Sequence, residues 1–217
     1  MNLANKLTIF RVILVPIFVI VGYLGVLGAI SGEWLGIPVF FWIMNLIFII
    51  ASITDKLDGY IARSRNQVTT FGKFLDPLAD KILVLSALVM LVEFGKIPAW
   101  IPIIVLTREF LVSGYRLLAV EHGGKVIAAS IWGKLKTVTQ MIAIILVFLD
   151  KYNFFNFMIA NTNQAEAMAS SIQIYMTSGE IALNAIASIL MLISVIATIF
   201  SGYDYLKNGK DLFKEAK

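Results

Sequence analysis

Apolar runs long enough to cross a bilayer alternate with short polar stretches along almost the whole chain. Six such runs stand out, at about residues 7–30, 37–61, 75–95, 97–120, 131–150 and 180–203. Each comes near the ~20 residues a helix needs to cross the hydrocarbon core. No water is available there to satisfy an open backbone, so all six are predicted to be helices. The last is the cleanest, with no charge between Ile181 and Phe200. The others carry charges at one end or, in the fourth, in the middle. Ser31–Pro38, punctuated by Gly32, Gly36 and Pro38, reads as a turn, and so does Gly95–Pro98. Tyr152–Ala160 is apolar but too short to cross, so residues 152–178 are expected to form an external or interfacial hairpin. No low-complexity linker or internal repeat interrupts the pattern. The expected fold is a single membrane domain over residues 1–217: an all-α integral membrane protein with six transmembrane helices around a cytoplasm-facing polar cavity.

Composition strengthens the membrane reading. The 217 residues are 59% hydrophobic and 15% charged, with mean hydropathy +0.85, where a soluble domain carries roughly a quarter charged residues. The formal charge of +4 is too small and too scattered to suggest a nucleic-acid partner. It suits basic loops held against an anionic leaflet. Cysteine is absent, which excludes disulfides, thiolate chemistry and cysteine-ligated metals. No small-residue cleavage site follows the first apolar run, so it reads as a retained span and not a signal peptide. With the amino terminus inside, 15 of the 18 Lys and Arg fall on inner segments. Lys96 and Lys151 fall outside, and Arg108 lies within the fourth span. That bias places both termini in the cytoplasm. Trp34, Trp42, Trp100 and Trp132 fall near span ends, as interfacial anchors do. His122, beside Gly123 and Gly124, reads as a turn residue.

Candidate chemistry concentrates between the second and third runs. Asp55 and Asp58 are spaced i,i+3 on one helix, and Asp76 and Asp80 i,i+4 on the next, so each pair shares a face. A short connection makes the helices antiparallel neighbours and brings the pairs together near the cytoplasmic surface. Four carboxylates so placed repel one another unless divalent cations bind between them. All-oxygen ligands with no nearby His point to Mg²⁺ or Mn²⁺, one or two ions, ahead of zinc. Salt bridges to Lys56, Arg63 and Lys73 in a solvated loop would be the plainer explanation for any one of these acids. That explanation weakens for four at helical spacing beside long apolar runs. Pro77 suggests a helix beginning or kinking beside Asp76.

The residues from Asp55 to Asp80 follow Asp-x₂-Asp-Gly-x₂-Ala-Arg-x₈-Gly-x₃-Asp-x₃-Asp. This pattern resembles the signature of the CDP-alcohol phosphotransferase family at every fixed position. The resemblance implies a six-helix membrane enzyme, usually a homodimer, that uses divalent metal, most simply two ions. It implies that Asp55, Asp58 and Asp76 are metal ligands. Asp80 would be the general base and a ligand as well. Gly59, Ala62, Arg63 and Gly72 would line the CDP pocket with Asp58.

The second half of the chain bears on the acceptor. Arg108 and Glu109 lie near the middle of the fourth run, a depth at which charges face a cavity or each other. Adjacent residues point about 100° apart on a helix, so these two are not expected simply to pair together. A pocket gathering Arg108, Arg116, Lys134 and Lys136 would suit a small acceptor bearing its own phosphate. Snorkelling to the headgroup level would also explain Lys125 and Lys136. Thr107-Arg108-Glu109 through Ser113-Gly114-Tyr115-Arg116, then Gly133-Lys134-Leu135-Lys136-Thr137, resemble the phosphatidylglycerophosphate synthase branch of the family. So does the opening from Asn5 to Pro16, in which Thr8 would reach the CDP pocket. Tyr115, where that branch would have Leu, is a small departure. This resemblance implies CDP-diacylglycerol as donor, sn-glycerol 3-phosphate as acceptor, and a home in the inner membrane of a bacterium. Two other readings stay open. One is the same chemistry with inositol phosphate, serine or phosphatidylglycerol as acceptor. The other is a small ion transporter, against which stand the clustering of the acids at one face and the lack of a half-to-half repeat.

Overall fold

A computed structural model of the chain describes the backbone of residues 3–64, 70–121, 130–160 and 174–208, and the side chains of 7–54, 79, 81–116, 130–160 and 174–207. Helix is the dominant structure: α1 (Leu3–Val26), α2 (Val39–Ser64), α3 (Thr70–Glu93), α4 (Trp100–Glu121), α5 (Ile131–Leu149) and α6 (Ser178–Asn208), with one 3₁₀ turn at Asn156–Met158. Each expected apolar run overlaps one of these helices over most of its length. Among the described residues, Leu7–Val26, Ile131–Leu149 and Ser178–Lys207 are long and apolar enough to cross a membrane, and Val39–Thr54 is a shorter apolar segment. The chain divides into two compact units, Met1–Ile97 with Ile145–Asn153 and Pro98–Ile144 with Phe154–Lys217.

In the first unit α1 packs along both α2 and α3, and α2 packs on α3. Phe18, Met44, Phe48, Ala51, Leu83, Ala87 and Leu91 are buried in its core, with Phe148 from the end of α5. The rings of Phe18 and Phe148 meet edge to face at 5.9 Å, and Phe41 meets Phe94 in the same way at 5.0 Å. Such small-residue positions as Gly25 let helices come close in a bilayer, and a Cβ there would strike the Phe40 ring. The expected turn at Ser31–Pro38 is a hairpin of two-residue strands, β1 (Glu33–Trp34) and β2 (Ile37–Pro38). Leu35 and Gly36 both have positive φ, at 56° and 72°, the signature of a tight I′ turn. Trp42 Nε1 donates to the Trp34 carbonyl at 3.2 Å, tying the hairpin to the first turn of α2.

The turn at Gly95–Pro98 carries a buried cation. Lys96 Nζ donates to the Asp150 carbonyl at 2.8 Å, just past the carboxyl end of α5, and lies 5.4 Å from the centre of the Phe41 ring. Lysine suits that position because helix carboxyl ends present unsatisfied carbonyls and partial negative charge. Burial pushes the Lys96 ammonium below the usual lysine range, and the nearby Asp150 carboxylate works in the opposite direction.

In the second unit α4 packs on α6, and the 3₁₀ turn packs on α6 as well. The amide of Thr177 donates to Glu180 Oε2 at 2.9 Å while the Glu180 amide reaches Thr177 Oγ1 at 3.4 Å, a capping box that starts α6. Asn184, Ser188, Ser194, Thr198, Ser201 and Tyr205 are buried along one stripe of α6. Asn184 Oδ1 and Ser188 Oγ accept from the amides of Phe157 and Phe155, which fastens the short apolar segment after α5 to this stripe. That segment is irregular apart from its one 3₁₀ turn, and residues 161–173 of the expected hairpin lie outside the described residues.

Both ends of α1, the start of α3 and the end of α6 differ from expectation by more than a turn. The sequence predicts the third run from residue 75 and a helix start or kink at Pro77, but α3 begins at Thr70. Proline is best tolerated in a first turn, yet here the helix has already run two turns before reaching it.

Candidate active site

The acidic motif is divided between two helices of the first unit. Asp55, Asp58, Gly59, Ala62 and Arg63 lie on the carboxyl-terminal half of α2, and Gly72, Asp76 and Asp80 on the amino-terminal half of α3. Their side chains lie outside the described residues. The backbone still fixes their levels. Asp58 is six residues before the end of α2 and Asp76 six residues after the start of α3, so both stand ~9 Å along their helices from the connection at ~1.5 Å per residue. Asp55 and Asp80 stand at ~14 Å and ~15 Å by the same measure. Two helices joined by residues 65–69 and packed together therefore carry the four acids in two matched tiers. Thr8, on α1 of the same unit, is fully buried, as is Arg11 one turn further on.

The basic residues belong to the second unit. Arg108, Arg116, Lys134 and Tyr205, with Gly133, Thr137 and Val138, line a cavity of about 540 Å³. The size is in the range of small-molecule sites. No acidic side chain is among these lining residues. Arg108 is held from two sides: Nη1 donates to Glu109 Oε1 at 2.9 Å, and Nη2 to Ser201 Oγ at 2.5 Å. Its Nε is buried and has no hydrogen-bond partner among the described residues. Gly133 makes room for this arrangement, since a Cβ there would sit 3.4 Å from both Arg108 Nη2 and Ser201 Oγ. Arg116 Nη2 donates to the Tyr205 hydroxyl at 2.7 Å.

Lys136 behaves differently from its predicted companions. It is buried, and its ammonium is paired with Glu109 Oε1. Arg108 and Glu109, not expected simply to pair together, do form an ion pair, and the same carboxylate also takes Lys136. The 100° between adjacent Cβ directions is real, but long side chains curl back across it, and a second cation on α5 draws the carboxylate to a shared point. The residues missed in the sequence are Glu109 as an ion-pair hub, and Ser201 and Tyr205 on α6. Their signal was present: Asn184, Ser188, Ser194, Thr198, Ser201 and Tyr205 fall on one side of a helix, as a face turned to protein requires.

A second cavity of about 350 Å³ lies between α4 and α6. Its lining includes Ile103, Leu111, Ile199, Leu206 and, again, Arg108.

Comparison with known proteins agrees with the motif. The family model described as CDP-alcohol phosphatidyltransferase matches residues 1–201. A Bacillus subtilis protein named CDP-diacylglycerol–glycerol-3-phosphate 3-phosphatidyltransferase is 47% identical over 154 residues, 70% of this chain and 79% of the relative. A Haemophilus influenzae protein of the same name is 41% identical over 213 residues, 96% of this chain and 94% of the relative. A Mycobacterium tuberculosis protein named as a probable phosphatidylglycerophosphate synthase is 43% identical over 148 residues, covering 68% and 66%. The chain belongs to the CDP-alcohol phosphatidyltransferase family, and is an enzyme of group transfer. Divalent metal is a general requirement of that family.

Proposed function

We propose that the chain transfers the phosphatidyl group of CDP-diacylglycerol to sn-glycerol 3-phosphate, releasing CMP and forming phosphatidylglycerophosphate. The observation that carries the acceptor assignment is the cavity lined by Arg108, Arg116 and Lys134 with no acid among its lining residues. The names of the relatives support the same substrates.

The metal fits the residues present. Four Asp positions at two matched backbone levels, with no cysteine in the chain, would supply a hard oxygen donor set suited to Mg²⁺ or Mn²⁺. Asp55, Asp58, Asp76 and Asp80 would hold two ions, which would neutralise charge on the diphosphate and on the departing CMP. Thr8, Asp58, Gly59, Ala62, Arg63 and Gly72 bind the CDP moiety, the glycines permitting close backbone approach. Asp80 takes the proton from the primary hydroxyl of the acceptor as that oxygen attacks the phosphorus bearing diacylglycerol. The new P–O bond forms while the bond to the CMP oxygen breaks, so catalysis is mainly positioning and electrostatics. Arg108, Arg116 and Lys134 bind the acceptor phosphate, while Lys136 shares the Glu109 carboxylate and so offsets its charge on Arg108.

The setting is a bacterial inner membrane crossed six times, with both termini and the site on the cytoplasmic side, in a single-domain chain that works as a homodimer. α3 and α4 complete the six spans. CMP release from CDP-diacylglycerol against a panel of acceptors tests the assignment. Release driven by inositol phosphate or serine and not by glycerol 3-phosphate would displace it.

A further inference from the structure

The two arginines of the cavity are held by a single face of α6. Ser201 and Tyr205 are spaced i,i+4 on that helix, one turn apart on one side. Ser201 Oγ accepts from Arg108, and the Tyr205 hydroxyl accepts from Arg116. The Tyr205 ring serves both: its centre lies 5.8 Å from Arg108 Cζ and 5.6 Å from Arg116 Cζ. Guanidinium groups at that range are attracted to the aromatic face. The ring itself is fixed. Tyr205 is 1% exposed and clusters with Val112 and Tyr115, and the Tyr115 ring packs edge-on against it at 6.4 Å. Tyr115, the departure from leucine noted in the sequence, thus supplies an aromatic support.

The chemistry of the support matters as much as its position. Glu109 also holds Arg108, but it does so with a full negative charge that it divides with Lys136. A carboxylate in place of Tyr205 would hold Arg116 equally firmly while cancelling the charge an anionic ligand needs. A neutral phenol orients both guanidinium groups and leaves their charge for the ligand.

Resting on the reading of this cavity as the acceptor site, we infer that Tyr205 is a positioning residue for acceptor recognition, aligning Arg108 and Arg116 toward the acceptor phosphate without neutralising them. Purified Tyr205→Phe, Tyr205→Leu and Ser201→Ala enzymes, and Tyr205→Phe in an Arg116→Ala background, are assayed with glycerol 3-phosphate and CDP-diacylglycerol varied separately. Tyr205→Phe keeps the ring and its packing, so it should raise the acceptor KM about fivefold to tenfold through the lost hydrogen bond to a charged group. Its kcat and donor KM should stay within about twofold, a split that general loosening of the fold would not produce. Tyr205→Leu should cost more, since the aromatic face is lost as well. Ser201→Ala should raise the acceptor KM several-fold through Arg108. In the Arg116→Ala background Tyr205→Phe should add less than about twofold, because coupled residues are not additive. An unchanged acceptor KM in Tyr205→Phe, or an equal effect in both backgrounds, would overturn the role of Tyr205. An Arg116→Ala enzyme with normal acceptor KM would instead remove the acceptor assignment itself, whatever Tyr205 does.

Discussion

Truncating Arg116 to alanine tests acceptor recognition at the cavity through a single cation. Arg116 is exposed, and its guanidinium donates to the Tyr205 hydroxyl at 2.7 Å at the edge of the cavity. Its removal takes a donor from the buried Tyr205 hydroxyl, at a cost of about 1–3 kcal/mol, so Arg116→Ala should melt below the wild type but still fold. Arg116 contributes to a bound dianion as well. One charge-assisted hydrogen bond is worth roughly 1.5–3 kcal/mol, or about ten- to hundredfold in affinity at 1.4 kcal/mol per decade. The acceptor KM should rise by that factor. Arg116→Lys should fall between, because it keeps the charge and loses the planar fork. The assay is CMP release in mixed micelles, with glycerol 3-phosphate titrated at saturating lipid and the lipid then titrated at saturating acceptor. A variant that loses donor affinity and keeps acceptor affinity would show that the basic cluster serves the nucleotide lipid.

Three further outcomes follow from other parts of the molecule. Asp55→Asn, Asp58→Asn and Asp76→Asn should each abolish turnover while the protein still inserts and elutes as wild type. EDTA should silence the native enzyme until Mg²⁺ or Mn²⁺ is restored, and full activity in chelator would remove the metal from the mechanism. Because the chain has no cysteine, single substitutions report sidedness directly. Arg65→Cys and Lys210→Cys should react only from the cytoplasmic face, Trp34→Cys and Ala165→Cys only from the outer face, and the reverse would invert the topology. Lys96 makes stability pH-dependent. Its folded pKa lies below the usual 10.5, with burial as the main cause, so the unfolded chain binds more protons between the two values. Stability should therefore rise with pH through that window, relative to Lys96→Met, and level off above 10.5. A flat difference would show that the ammonium is not desolvated.

The helices were legible because apolar runs bounded by Gly, Pro and charge leave a membrane chain few alternatives. The acidic motif was legible because its spacing is set by helix geometry. The start of α3 was not, since Pro77 marks a common helix beginning and the polar stretch before it looks like loop. Arg108 and Glu109 were misjudged because backbone direction was taken for side-chain reach. The part played by α6 was hidden for another reason. Its Ser, Thr and Tyr carry no charge, so a run that is clean by hydropathy conceals a face on which Ser201 and Tyr205 hold two arginines. Which residues meet across α4, α5 and α6 is a property of packing, and no local pattern states it.

The central claim is most directly tested by incubating the purified enzyme with CDP-diacylglycerol, Mg²⁺ and glycerol 3-phosphate, then identifying the lipid product by mass spectrometry alongside CMP. The account predicts phosphatidylglycerophosphate and CMP in equal amounts, with no CMP when glycerol 3-phosphate is omitted. CMP released equally well without it, or a lipid built on a different acceptor, would contradict the account.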